Sequence, residues 1–311
     1  GRVLDLNSYE ATFERCRFIN CGNEAIKLGH LGSTHGTFIF KDNYVSGCRN
    51  GDFIVAGNVQ SKPTFENNIF EDVTLSQKYF ITITHNLDSI EFNNNSFTRF
   101  TASGDQNNEC GGIGMKVSST NAANIKFNKC VFTDVSNDRG KTTLFANGGA
   151  IQYGFSSSSF SSNIELTSCI FRGNKATRNG GAVAVRTTGT VTIENCEFES
   201  NIANSAGSSS MLLEDHYDEK QKGVGGAVYI NTNFGSNEMA GLKITGCIFT
   251  TNKAYQGYGI YIEGDVSAAT SFTIAGSNQF FSNTGTEEHP LGGGIIASEV
   301  HSIERGSILK Y

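Results

Sequence analysis

The chain has 311 residues, among them 36 Gly, 31 Asn, 23 Phe, 2 Pro and no Trp. A net charge of −6 on only 17% charged residues excludes a nucleic-acid or anionic-membrane binder driven by electrostatics. The 38% hydrophobic content excludes a charge-rich disordered chain, and no apolar run reaches the ~18 residues that a membrane-spanning helix needs.

So much Gly and Asn with so little Pro directs attention to internal repeats. Taken along the chain, pairs of the form Cys/Asn/Asp–x–aromatic recur: Cys16/Phe18, Asp42/Tyr44, Asn68/Phe70, Asn95/Phe97, Cys130/Phe132, Cys169/Phe171, Cys196/Phe198, Cys247/Phe249 and Asn278/Phe280. The aromatic landmarks stand 26, 26, 27, 35, 39, 27, 51 and 31 residues apart, which makes nine units. In the last four units Asn follows the Phe by three residues, at Asn174, Asn201, Asn252 and Asn283.

Ahead of each landmark an apolar pair alternates with polar residues: Ile90/Phe92, Ile125/Phe127, Ile164/Leu166, Val191/Ile193, Leu242/Ile244. A second such pair comes after it: Met115/Val117, Ile151/Tyr153, Val183/Val185, Val228/Ile230, Ile260/Ile262. Alternation at period two predicts strands. No segment holds a helical period over three turns, and 202–222 is too poor in apolar residues to be a convincing exception.

Units this short cannot each build a core, but stacked ~4.8 Å apart they share one. The expectation is an all-β fold: a right-handed parallel β-helix solenoid of about nine to ten coils, forming one domain over 1–311, with variable surface loops and a long insertion at 202–224. The landmark Phe should form an interior stack, and the Cys/Asn position a second ladder at a turn. The chain starts at Gly1, without Met or an apolar leader, and is read as a segment of a longer protein.

The second strand of the later units opens with Gly148-Gly149-Ala150-Ile151, Gly180-Gly181-Ala182-Val183, Gly225-Gly226-Ala227-Val228 and Gly292-Gly293-Gly294-Ile295. Together with FRGN at 171, FESN at 198, FTTN at 249 and FFSN at 280, this resembles the polymorphic outer membrane protein repeat of chlamydial autotransporter passengers and some protist surface proteins. The resemblance covers about 130–300 and degenerates before that; no C-terminal translocator barrel accompanies it. It implies a β-helical cell-surface or extracellular protein with adhesive or interaction roles.

Chemistry-bearing residues are sparse. Five of the eight Cys share one repeat position, so repeat geometry explains them as buried thiols; Cys21 and Cys48, 27 residues apart, are the pair best placed for a bridge. No paired Cys-x-x-Cys suggests a metal centre, and no cofactor is expected. Glu214, Asp215, His216, Asp218 and Glu219 lack the spacing of a calcium loop and read as a solvated tip. Loops 98–110, 133–147 and 284–291 add Asp105, Glu109, Asp134, Asp138, Glu287, Glu288 and His289, which would have to converge to run glycoside hydrolysis or lyase chemistry. Asn94 is the sole Asn in a glycosylation sequon.

Two functions follow: a non-catalytic rod-like surface module, adhesin or structural, which is preferred, or a carbohydrate-active β-helix enzyme. A partner would be a protein, a glycan or a laterally associating copy. On the second strand the outward positions Ala184, Tyr229, Tyr261 and Ile296 fall in consecutive units. Tyr229, Tyr261 and Ile296 are therefore the expected interaction face, unless a loop such as 231–241 or 263–271 covers it.

Overall fold

Parallel strands need partners above and below, and a repeating chain supplies them from its own next unit. The computed structural model describes residues 4–6, 10–22, 25–28, 37–49, 53–57, 62–76, 80–84, 89–104, 115–118, 123–139, 147–155, 161–203, 223–232, 239–264, 271–275, 277–285, 294–297 and 308–309. Among these the chain is all-β, without a helix, and every strand pairing is parallel. Each pairing joins a strand to its counterpart in the neighbouring unit, an arrangement compatible with a parallel β-helix.

The strands of the first apolar pair form a sheet running from Glu10–Glu14 to Ser271–Ala275. Its register sets Phe92 beside Phe127, then Leu166, Ile193 and Ile244. The landmark strands form a second sheet, which aligns Phe97, Phe132, Phe171, Phe198, Phe249 and Phe280. Strands of the second apolar pair make the third side in two pieces. One runs from Leu4–Leu6 to Met115–Ser118 and the other from Ile151–Tyr153 to Ile295–Ala297.

The rings stand in file inside. From Phe70 through Phe97, Phe132, Phe171, Phe198 and Phe249 to Phe280, successive centroids are 4.7–5.0 Å apart and the planes tilt by only 3–14°. That spacing is the distance between paired strands, so the ring ladder follows from the backbone ladder. Phe65, Phe92 and Phe127 make a shorter file on the first sheet, at 4.6 and 4.7 Å.

Between the first and second sheets the chain turns through one residue of positive φ, for example Asn94 (+54°), Lys129 (+54°) and Gly246 (+65°). A second such corner follows the landmark strand, at Asp134 (+53°), Gly173 (+67°) and Ser200 (+56°) among others. The corner residue keeps its main-chain bond, but the N–H of the next residue does not find one and is taken by a side chain. Asn both accepts this N–H and donates. The Asn201 side chain accepts the Asn174 N–H of the preceding unit (3.0 Å) and donates to the Phe171 carbonyl (3.0 Å). Asn252 repeats both bonds on Asn201 and Phe198, and Asn174 reaches back to Val135 and Phe132.

Asn43, Asn68 and Asn95 hold the first corner in the same way. There Cys takes over in later units. The Cys196 thiol accepts the Cys169 N–H (3.4 Å) and donates to the Leu166 carbonyl (3.5 Å). The exchange of Asn for Cys at this position is therefore an exchange of one short donor–acceptor for another, not a change of design.

Three expectations need correction. The register pairs Phe18 with Val45, so Val45 fills the core of the second unit, and Tyr44 lies outside, where its hydroxyl donates to Glu71. A buried Val serves here where the other units place an aromatic, which shifts the repeat frame by one residue. Residues 98–104, read as loop, continue the strand Ser96–Gly104 past its corner at Arg99. Likewise Ser136–Arg139 is a strand, because it pairs with Thr101–Gly104. The two glycines of Gly180-Gly181-Ala182 act differently. Gly180 has φ +66°, whereas Gly181 is needed for closeness, since a Cβ there would stand 2.1 Å from the Gly226 carbonyl oxygen.

The Phe file yields a stability prediction. Phe198 is fully buried between two parallel rings, so Phe198→Ala should cost about 3–5 kcal/mol through lost transfer energy and a cavity. Ile248→Ala on the outside of the same sheet, 38% exposed, should change stability by less than about 1 kcal/mol. Thermal or denaturant unfolding of the two variants checks the ranking, and the reverse order would show that Phe198 does not carry the core.

Candidate functional site

The expected interaction face lies on the later piece of the third side, whose register sets Ala184 beside Tyr229, Tyr229 beside Tyr261 and Tyr261 beside Ile296. The outward column thus exists as a column, but it is not uniformly open. Val183–Arg186 and Val228–Asn231 are buried on both faces, whereas in Ile260–Glu263 only the inward residues are buried. Ala184 and Tyr229 are 0% and 3% exposed, and Tyr261 is half-buried. Exposure of Tyr229 is the part of the expectation that the structure overturns. The side chain of Ile296 lies outside the described residues.

The cover is Phe155, which belongs to neither of the loops considered for that role. After Ile151–Tyr153 the chain turns at Gly154 (φ +82°), where a Cβ would stand 1.6 Å from the Arg186 carbonyl oxygen. Only glycine passes there, and the turn carries Phe155 over the neighbouring strands. The Phe155 and Tyr229 rings are 5.9 Å apart and near-parallel, and Ala184 completes this small outer cluster, with Val224 and Tyr261 packed against it. The Tyr229 hydroxyl donates to Glu263 and accepts from Asn231 Nδ2 (3.0 Å). Burial, followed by the Glu263 charge, pushes the Tyr229 hydroxyl far above the usual tyrosine value.

The outer face of the first sheet carries scattered, paired charges, as in Lys126–Glu165 (3.1 Å) and Lys243–Glu194 (2.5 Å). Exposed pairs of this kind contribute little. The second sheet carries something sequence reasoning did not single out. Ile19, Ile69 and Ile248, at 48%, 47% and 38% exposure, are the exposed large hydrophobic residues among the described ones, and all sit on its outside. Its sequence signal is an apolar residue directly before the landmark, as in Ile69 and Ile248, which does not recur in every unit.

Of the carboxylates considered for catalysis, Asp134 and Asp138 are exposed, Asp134 at a corner and Asp138 accepting from the Thr177 hydroxyl (3.3 Å). Asp105, Glu109, Glu214, Asp215, His216, Asp218, Glu219, Glu287, Glu288 and His289 lie outside the described residues. Among the described residues no group of three His, Cys, Asp or Glu is placed to hold a metal ion. Asn94 is exposed at its corner, where its amide donates to Asn67 Oδ1 (2.9 Å).

The seven described cysteines are free thiols. Cys130, Cys169, Cys196 and Cys247 are buried in consecutive units. Burial pushes the first three well above the ordinary thiol value, whereas a hydrogen bond from Cys196 holds Cys247 below it.

Compared with known proteins, the chain matches no family model, no curated protein and no solved structure.

Two measurements follow. Tyr229→Lys should cost about 3–5 kcal/mol, because it opens the outer cluster and buries an amine; Tyr261→Lys, on the open part of the column, should cost less than about 1 kcal/mol. Equal melting temperatures for the two variants would refute the covered column. For the thiols the sign is set by the raised folded value. Cys130, Cys169 and Cys196 contribute stability that is fully present below the unfolded thiol value of about 9 and is lost as pH rises above it. Melts between pH 7 and 11 should fall in this window, and a Cys169→Ala, Cys196→Ala chain should fall less steeply; identical slopes would count against the buried-thiol account.

Proposed function

We propose that the chain is a right-handed parallel β-helix of nine to ten coils that works as a rod-like, non-catalytic interaction or structural module at a cell surface or outside the cell. The observation that carries this reading is the stacking itself. Rings, corner amides and backbone ladders all run from unit to unit, so added sequence lengthens the body and repeats the same flat faces. Such a body suits spacing and lateral contact, and its surface charges pair locally as a solvated face does. The resemblance of the Gly-Gly-Ala and Phe-x-x-Asn signatures to polymorphic outer membrane protein repeats supports the surface placement. The partner class is a protein, a glycan or a neighbouring copy, with Tyr261 and Ile296 as the contact positions and Tyr229 as the buried residue of the strand beside Tyr261.

Small-angle scattering tests the shape. Nine to ten coils at about 4.8 Å each give a stacked body roughly 45 Å long, with loops widening its section. Reducing ends released from acidic polysaccharides would instead establish the carbohydrate-active alternative, and an expanded, unfolded-chain scattering profile would remove the stacked body.

A further inference from the structure

The second corner is closed by Asn in the later units, but in the first two the same register position holds Cys21 and Cys48. Ile19 pairs with Ser46, the Asn20 N–H donates to the Ser46 carbonyl (2.9 Å), and the Arg49 N–H donates to the Cys21 carbonyl (3.2 Å). Cys21 and Cys48 each follow a corner residue of positive φ, Asn20 (+52°) and Gly47 (+70°). They therefore leave the backbone at equivalent points one strand apart. Neighbouring strands set Cα atoms about 4.8 Å apart, within the range a disulfide spans. Burial raises both thiols above the ordinary value, Cys48 to about 12.

The other described cysteines lack one of the conditions this pair meets. Cys130, Cys169, Cys196 and Cys247 also have thiol neighbours, but they are buried, and each donates to a main-chain carbonyl of the preceding unit at 3.3–3.5 Å. Oxidation would need an oxidant to enter the core and would forfeit those bonds. Cys16 is partly exposed, but its ladder neighbour is Asn43. Cys21 is partly exposed, and its sulfur reaches the Ile19 carbonyl only at a long 3.9 Å; Cys48 is buried, so Cys21 is the thiol of the pair that an oxidant reaches first.

We propose that Cys21 and Cys48 are a redox-active thiol pair, which a low-molecular-weight disulfide converts into an internal disulfide that fastens the first unit to the second. The Cys21 thiolate attacks one sulfur of the small disulfide, and a mixed disulfide forms as the first small thiolate leaves. The Cys48 thiolate then attacks Cys21 Sγ and expels the second. One S–S bond is made and one broken; the small disulfide is reduced to two thiols, which take up the two protons.

Oxidised glutathione is the probe. The full chain is incubated with it under native conditions, free thiols are alkylated, and the chain is digested with trypsin without reductant. Mass spectrometry should find peptide 18–27 linked to peptide 42–49, about two mass units below their sum. The thiols of Cys130, Cys169, Cys196 and Cys247 should remain reduced, open to alkylation only after unfolding. Cys48→Ser should stop the sequence halfway and leave glutathione on Cys21. Amide exchange in Arg17–Ile19 should slow about tenfold or more on oxidation, since the link restrains opening of that strand. A persistent glutathione adduct on Cys21 in the unaltered chain would overturn the proposal, as would links among the buried thiols or no reaction at all. Linkage without slower exchange would overturn the fastening.

Discussion

Everything in this molecule depends on the hydrogen bonds that cross from one unit to the next at the two corners. Along a strand, the backbone pairs itself with the strands above and below. At a corner the chain turns through a residue of positive φ, whose own N–H still pairs with the next unit, while the N–H of the residue after it can lose its main-chain partner. At the first corner, and at the second corner of the later units, the residue that follows takes that N–H with a side chain able to donate and accept at once. Asn201 does so on the Asn174 N–H and the Phe171 carbonyl, and Cys196 on the Cys169 N–H and the Leu166 carbonyl. Without these bridges one main-chain N–H per such corner, that of Asn174 or Cys169, would be buried unpaired, at about 1–3 kcal/mol.

The aromatic core follows from that constraint. Once the corners hold successive units in register, equivalent side chains must sit one strand spacing apart. A flat ring tolerates such a spacing well, because parallel rings at 4.7–5.0 Å fill the interval without a gap. The second corner changes its chemistry along the chain. Cys21, Cys48, Val73, Phe100 and Val135 occupy it before the Asn series from Asn174 to Asn283 begins, so the early units close it with thiols or hydrocarbon. The third side also breaks into two sheets between Met115–Ser118 and Ile151–Tyr153, where the Gly-Gly-Ala signature first appears.

How much of this was legible in the sequence depended on whether the signal repeated. The inward Phe and the alternating pairs recur at fixed offsets, and both strand sets and their register could be read from them. The corner residues could not, because the positive-φ position is filled by Arg15, Asp42, Asn67, Lys129, Ser168 and Gly246 in turn. It is defined by backbone geometry and no single side chain marks it. Tyr44 misled for the opposite reason: an aromatic stood one place from where the buried Val45 was needed.

For the outward column, alternation in the sequence determined that Tyr229, Tyr261 and Ile296 share one face of one sheet, since side chains alternate at every residue of a strand. Only the tertiary structure decided that Tyr229 is buried and Tyr261 is half open. That outcome turns on Gly154, where close approach to the Arg186 carbonyl excludes any side chain and sends Phe155 across the neighbouring strand. Periodicity reports which way a residue points. It carries no information on what a distant segment lays over it, because such a contact arises once, from the path of the chain in space, and leaves no repeat to read.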